Sequence, residues 1–96
     1  MGRKVLYVCT GNRFRSLFAE AYTRKNHSDG FDPVSAGTEA GKPIIEEVKK
    51  EMQRREVWSY SKESPEQLTG EDVSSADTVI CMKKRHAELL KDRYGA

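Results

Sequence analysis

The chain has 96 residues, of which 36% are hydrophobic and 33% charged, and its 17 Lys and Arg against 15 Asp and Glu give a formal charge of +2. This length is typical of one small domain, residues 1–96, and excludes two independent hydrophobic cores. No apolar stretch reaches the roughly 18 residues of a membrane span, and the first residues lack the features of a signal peptide. We therefore expect a cytoplasmic protein with no membrane partner. The nearly balanced charge also gives no basic field that would indicate a nucleic acid partner.

The chain contains two cysteines, Cys9 and Cys81. They are too few for the disulfide framework of a small secreted protein, and their spacing does not match a zinc site. We expect no metal and no cofactor. A functional cysteine in this protein would therefore act as a thiol.

The first half of the chain alternates between strand and helix. Residues 4–9 are an apolar run with β-branched and aromatic side chains, which predicts a buried strand. Apolar residues recur at helical spacing over residues 16–26, and a loop follows at residues 28–30. Residues 33–37 predict a second, short strand.

A second helix is predicted to open at residues 41–43, because Pro43 suits a first helical turn, and to end near Arg55. Its predicted apolar face consists of Ile44, Ile45, Val48 and Met52. Residues 58–65 are polar and predict an irregular segment. Within it, Trp58 and Tyr60 either cover the core, the favoured reading, or rim a groove.

A capping pattern predicts a short helix before the third strand. Thr69 is the expected N-cap, Asp72 lies three residues later, and Leu68 is placed to pack on Val73. Residues 77–82 have the composition of a strand. A final helix follows, and its predicted apolar face consists of Ala87, Leu90 and Tyr94.

Strand and helix alternate three times, which predicts an α/β three-layer sandwich around a small parallel sheet. The pattern ends after a helix without a closing strand, so the chain is either a minimal fold or a fragment. Ligands of such sheets bind beyond the carboxyl ends of the strands. The loops after Cys9, Ala36 and Met82 lie at that edge.

The loop after the first strand predicts a specific chemistry. Its residues are Cys9, Thr10, Gly11, Asn12, Arg13, Phe14, Arg15 and Ser16. Because a helix follows at once, the N–H groups of the loop and the positive end of the helix would surround a tetrahedral oxyanion. Gly11 and Asn12 suit the positive φ that this bend requires. We therefore expect residues 10–16 to bind the anionic part of a substrate.

Cys9 and Arg15 are the predicted catalytic residues. Arg15 offers a planar guanidinium to two phosphate oxygens, a geometry that Lys lacks. The positive surroundings favour a thiolate at Cys9, and Ser16 can donate a hydrogen bond to it. A buried strand-end cysteine is the alternative reading. The C-x5-R spacing between a strand and a helix favours the nucleophile.

At these residues the chain resembles the low molecular weight protein tyrosine phosphatases, whose loop reads C-x-G-N-x-x-R-S. The resemblance continues through S-A-G-T at residues 35–38, Gly41-x-Pro43, residues 67–69 and residues 77–82. It thus covers essentially the whole chain.

The resemblance implies a role for each matching residue. Cys9 would be the nucleophile and Arg15 the phosphate clamp. Asn12 would shape the loop, Ser16 would stabilise the thiolate, and Ser35 would brace Asn12 from behind.

The chain also departs from the family pattern. Phe14 stands where many members have a second cysteine that protects the nucleophile, so this redox switch is expected to be absent. Residues 38–41 lack the usual groove-shaping aromatic residue, and Glu63 replaces a histidine of the network behind the loop. The Asp-Pro general acid of the family lies further along than this sequence runs. The Asp-Pro pair at residues 32–33 enters its strand at the opposite edge, and Asp92 belongs to the last helix.

Three further residues could have either a functional or a structural role. Glu39 is the one carboxylate on a carboxyl-edge loop; it is a candidate acid, although a solvated glutamate is the favoured reading. His86 is expected to be a surface histidine and Cys81 a packing residue.

The sequence therefore predicts a phosphatase that hydrolyses phosphotyrosine in proteins, or small aryl phosphates, through a cysteinyl-phosphate intermediate. Inorganic phosphate or another oxyanion would occupy the same site. An arsenate reductase is the enzymatic alternative, but it needs two further cysteines and the chain has only Cys81. A phosphate- or phosphopeptide-binding module without the general acid is the non-enzymatic alternative.

Overall fold

The computed structural model describes residues 3–27, 29–62 and 64–95. In this part of the chain three parallel strands form one sheet in the order β2-β1-β3. The strands are β1 (Arg3–Cys9), β2 (Phe31–Gly37) and β3 (Thr78–Cys81). The helices of the same residues are α1 (Arg15–Asn26), α2 (Glu46–Arg54), α3 (Gly70–Ser75) and α4 (Lys84–Tyr94). The predicted α/β fold with a small parallel sheet flanked by helices is confirmed.

The apolar side chains form two core clusters. The first core cluster consists of Leu6, Val8, Ala36, Leu68 and Leu90, with Val73, Cys81 and Tyr94 packed against it. The second core cluster consists of Leu17, Ala21, Met52 and Val57, with Ile44, Val48 and Trp58 packed against it. Successive strand side chains point to opposite faces, so the sheet separates α1 from the helices of the first cluster. The central strand β1 is therefore covered on both faces, as its continuous apolar run predicts.

The predicted helix cap at Thr69 is confirmed. The Thr69 hydroxyl accepts a hydrogen bond from the Asp72 N–H at 3.2 Å, and the Asp72 carboxylate accepts one from the Thr69 N–H at 2.9 Å. Leu68 and Val73 meet in the first core cluster, as expected. This reciprocal cap satisfies two N–H groups that the first turn of α3 would otherwise leave unpaired.

The start of α2 was predicted too early. The helix begins at Glu46, because Gly41 has a φ of +144° and Ile45 is extended, and both conformations lie outside the helical region. Ile45 is consequently exposed, whereas Ile44, Val48 and Met52 pack in the second core cluster. Residues 41–45 therefore form a loop at the carboxyl edge of the sheet.

The predicted apolar face of α4 was also wrong in one residue. Ala87 is exposed, and the buried side chains of α4 are His86 and Leu90, with Tyr94 half-buried one turn further. His86, Leu90 and Tyr94 are spaced four residues apart and so share one face. The expectation that His86 lies at the surface is thus incorrect.

The segment after α2 contains a short 3-10 helix at Trp58–Tyr60 and is otherwise irregular. Trp58 packs on the second core cluster, so the preferred reading as a core cover is confirmed for this residue. Glu63 lies outside the described residues. In the part of the chain that the structure describes, no helix has both the length and the apolar composition that crossing a bilayer requires.

Candidate active site

The loop between β1 and α1 wraps around the sulfur of Cys9. Asn12 has a φ of 53°, in the left-handed region, and this bend brings its N–H to 3.1 Å from Cys9 Sγ. Ser16, in the first turn of α1, places its hydroxyl oxygen 2.9 Å from the same sulfur. The thiol therefore has two polar contacts on the protein side, of which the Ser16 contact is the one that the loop pattern predicts.

A chain of hydrogen bonds fixes the direction of these contacts. The Asn12 side-chain amide donates to Ser16 Oγ at 2.7 Å and to Ser35 Oγ at 2.9 Å. Because Ser16 Oγ accepts from Asn12, its own hydrogen is free to point at Cys9 Sγ. The Asn12 side-chain oxygen accepts from the Glu66 N–H at 2.9 Å. The bracing contact expected between Ser35 and Asn12 is therefore present.

The chain of hydrogen bonds ends at the buried carboxylate of Glu20. Ser35 donates to Glu20 Oε1 at 2.6 Å, and Glu20 forms ion pairs with Arg24 at 2.9 Å and Lys62 at 3.8 Å. Glu20 is almost fully buried, and burial of a carboxylate is costly unless it has such partners. Neither Glu20 nor Lys62 belongs to the loop pattern, so the sequence does not point to them.

The loop after β2 is held directly against the Cys9 loop. A side chain at Gly37 would bring its Cβ to 2.6 Å from the Thr10 carbonyl oxygen, so only glycine allows this approach. The next two N–H groups, of Thr38 and Glu39, donate to the carbonyls of Cys9 and Thr10 at 2.9 and 2.8 Å. These contacts position Glu39 beside the Cys9 loop.

His86 belongs to the candidate site, although the sequence predicts a surface histidine. Its Nδ1 accepts a hydrogen bond from the Lys83 N–H at 3.1 Å, so the ring proton of the neutral form lies on Nε2. Nε2 then donates to the Thr10 hydroxyl at 3.0 Å, and Arg85 donates to the same oxygen at 3.0 Å. Thr10 therefore accepts two hydrogen bonds, which leaves its own hydrogen free for a further partner.

Burial lowers the pKa of His86, and the positive charges of Arg85, Arg15 and Lys83 lower this pKa further. Histidine is consequently held neutral, in the tautomer that donates to Thr10. The four-residue spacing of His86, Leu90 and Tyr94 is the sequence signal that points to this buried position.

A cleft of about 480 Å³ opens above Cys9. It is lined by Cys9, Thr10, Gly11, Arg13, Phe14, Arg15, Glu39 and Lys42. Six of the eight predicted loop residues thus face the cleft. The other two, Asn12 and Ser16, are fully buried behind it, where their side chains contact each other and Cys9.

The Cys9 loop also contains N–H groups that the other described residues do not use. Among the hydrogen bonds of the described residues, none is donated by the N–H groups of Gly11, Arg13 or Phe14. These groups precede the positive N-terminal end of α1, an arrangement that suits an anion. The described residues contain no group of three His, Cys, Asp or Glu side chains that could hold a metal ion.

Fold and site together define an α/β protein whose strand–loop–helix unit places a cysteine and an arginine in the lining of one cleft. A family model described as low molecular weight phosphotyrosine protein phosphatase matches residues 4–95. The chain belongs to this family.

The names of individual relatives give different substrates. A protein-arginine-phosphatase from Geobacillus stearothermophilus is 29% identical over 94 residues, which are 98% of this chain and 64% of that protein. The structure of the YwlE arginine phosphatase from the same organism has a TM-score of 0.84 and 25% identity, covering 97% of this chain and 60% of that one. A low molecular weight protein tyrosine phosphatase from T. tengcongensis has a TM-score of 0.82 and 29% identity, covering 99% and 68%. The chain therefore spans less than two thirds of the length of the first two relatives.

Proposed function

We propose that this protein is a cysteine-dependent phosphatase that hydrolyses phosphotyrosine in proteins, or small aryl phosphates. The observation that carries the proposal is the environment of Cys9. Its sulfur contacts the Asn12 N–H and the Ser16 hydroxyl, and it lines a cleft together with Arg15. Both contacts are hydrogen-bond donors, which are the partners that a nucleophilic sulfur needs.

The reaction proceeds in two displacements. The Cys9 thiolate attacks phosphorus, an S–P bond forms, and the bond to the aryl oxygen breaks; the released oxygen takes up a proton. Water then attacks the cysteinyl phosphate, the S–P bond breaks, and inorganic phosphate leaves with the thiolate restored. Arg15 and the loop N–H groups stabilise the phosphoryl oxygens in both transition states.

A phosphoarginine phosphatase is the second candidate, favoured by the name of the Geobacillus stearothermophilus relative. The arsenate reductase alternative requires relay cysteines. Cys81, the one other cysteine, packs against the first core cluster, on the face of the sheet opposite to Cys9.

Hydrolysis of p-nitrophenyl phosphate by the unaltered protein and by Cys9→Ser tests the proposal. We expect turnover only with Cys9, a phosphocysteine in acid-quenched samples, and alkylation of Cys9 by iodoacetamide that phosphate or vanadate blocks. Arsenate-dependent loss of thiols would favour the reductase instead. Oxyanion binding without turnover would favour the binding module.

A further inference from the structure

The cleft above Cys9 has more positive charge than one phosphate group requires. Three cationic side chains line it, Arg13, Arg15 and Lys42, against one carboxylate, Glu39. Among the described residues, no ion pair involves any of these four side chains. The excess charge of the cleft is therefore not compensated by the protein.

Arg13 has a defined place on one wall of the cleft. Its side chain folds back over the loop, so that Nε lies 3.3 Å from the position of a Cβ at Gly11. Arg13 is half-buried there, two residues before Arg15. A phosphate bound by the loop N–H groups and Arg15 would therefore have the Arg13 side chain in the same cleft.

Lys42 reaches the same cleft from the loop between β2 and α2. That loop is anchored by the N–H groups of Thr38 and Glu39 on the Cys9 loop, and by the Ala40 N–H on the Gln67 side chain at 2.9 Å. The cleft therefore has a cation on each of the two loops that form it.

We propose that Arg13 and Lys42 form a second anion subsite, and that the preferred substrate is a phosphotyrosine peptide with acidic side chains next to the phosphorylated residue. This inference deepens the proposed phosphatase function and rests on it for the position of the phosphate. Such a substrate carries a carboxylate a few ångströms from the phosphate that is removed. A substrate with a guanidinium or ammonium group at this subsite is disfavoured, because Arg13 and Lys42 repel it. The carboxylate of Glu39 offsets one of these two positive charges.

Binding to the Cys9→Ser variant tests the subsite separately from catalysis. The probes are three phosphotyrosine peptides that differ only in whether Glu, Gln or Lys flanks the phosphotyrosine, plus the Glu peptide without phosphate. We expect the Glu peptide to bind about three- to tenfold tighter than the Gln peptide at low salt, and the Lys peptide to bind more weakly, on the scale of one or two exposed ion pairs. Raising the salt to about 0.5 M should bring the ratio toward one.

Arg13→Gln and Lys42→Gln, each added to Cys9→Ser, should reduce the Glu-to-Gln affinity ratio by about two- to threefold, and the two together should abolish it. Lys50→Gln, on the exposed side of α2, is the matched control and should keep the full ratio. Lys42 lies outside the Cys9 loop, so its variant reports on the subsite even if Arg13→Gln disturbs the loop.

The outcomes separate the two proposals. Three results would each overturn the subsite. The first is a Glu-to-Gln affinity ratio near one before any substitution, and the second is an undiminished ratio in the double variant. The third is equally tight binding of the unphosphorylated Glu peptide. If the ratio behaves as expected but the unaltered protein hydrolyses none of the peptides, the subsite stands and the phosphatase function is wrong.

Discussion

At the scale of single residues, the contacts of Cys9 depend on the unusual backbone of Asn12. A left-handed conformation is costly for most side chains, and Asn tolerates it better than others. The Asn12 side chain offsets the cost by three hydrogen bonds, to Ser16, to Ser35 and from Glu66. The loop thus holds its donors in place before any anion binds, which is the condition for electrostatic catalysis.

Arg15 provides the first prediction at this scale. Arg15→Lys keeps the charge but loses the planar pair of donors, so the affinity for inorganic phosphate should fall by about 1.5 to 3 kcal/mol. Calorimetric titration with phosphate measures the difference. Arg93→Lys, on the exposed side of α4, is the control and should bind phosphate as the unaltered protein does. Equal affinities for Arg15→Lys and the unaltered protein would mean that Arg15 does not contact the anion.

His86 provides the second prediction, a dependence of stability on pH. Burial and the neighbouring cations lower the pKa of His86 below its ordinary value of 6.5 in the folded protein. Between the two pKa values, the unfolded chain therefore binds a proton that the folded protein does not bind. The free energy of unfolding should therefore decrease as the pH falls below about 6.5, toward the folded-state pKa. Protonation also removes the acceptor on Nδ1 that faces the Lys83 N–H.

Urea unfolding of the unaltered protein and of His86→Asn between pH 7.5 and pH 5 measures this effect. The variant should be less stable at neutral pH and should lose less stability on acidification. His27→Asn, at an exposed histidine, serves as the control and should retain the original slope. The same slope in His86→Asn would contradict the assignment.

At the scale of secondary-structure elements, the strand register keeps the two cysteines apart. Cys81 of β3 pairs with Val8 of β1, so Cys81 and Val8 share the face of the first core cluster. Cys9 follows Val8 and points to the opposite face, toward α1. Partial burial also raises the pKa of the Cys81 thiol and so lowers its reactivity.

The third prediction follows from this register. Peroxide should convert Cys9 to sulfenic acid and then to higher oxidation states, with no disulfide to Cys81, since Phe14 offers no resolving thiol nearby. Mass spectrometry of non-reduced peptides detects these products, and Cys81→Ser should leave the oxidation of Cys9 unchanged. A Cys9–Cys81 disulfide would contradict the register argument and revive the reductase alternative.

At the scale of the whole molecule, loops from three parts of the chain meet at the carboxyl edge of the sheet. The Cys9 loop, the loop after β2 and the start of α4 contribute Arg15, Glu39 and Arg85 to one region. Among the described residues that line the cleft, Glu39 is the one carboxylate. In the proposed reaction, Glu39 is therefore the carboxyl group of this lining to test as the proton donor to the leaving group.

The fourth prediction concerns this proton. Phosphotyrosine releases a phenolate whose conjugate acid has a pKa near 10, and a positioned acid contributes about 10²- to 10⁴-fold to such a step. Nitrophenolate leaves without this help. The 96-residue chain should therefore hydrolyse p-nitrophenyl phosphate faster than phosphotyrosine by something near that factor.

Glu39→Gln decides whether this carboxylate acts as the acid. Glu39 is exposed at the rim, so we expect the substitution to change both rates little. If it slows phosphotyrosine far more than the nitrophenyl ester, Glu39 is the acid. If both substrates are hydrolysed at equal rates, and Glu39→Gln leaves these rates unchanged, another group must donate the proton.

The sequence alone determined the fold class and the strand–loop–helix unit that carries Cys9 and Arg15, because both depend on local patterns. An apolar run, a helical period and a helix cap follow from neighbouring residues, and so does the C-x5-R spacing that places Cys9 and Arg15 on one loop. Membership of the family follows from the same residues.

Only the tertiary structure decided what surrounds the loop. Glu20, His86 and Lys42 lie 11, 77 and 33 positions from Cys9 along the chain, and no local pattern connects them to it. Helix packing buries His86 against Thr10, and strand pairing sets Gly37 and Glu39 beside the same loop. Such contacts depend on how elements distant in sequence pack together, so short-range spacing cannot specify them.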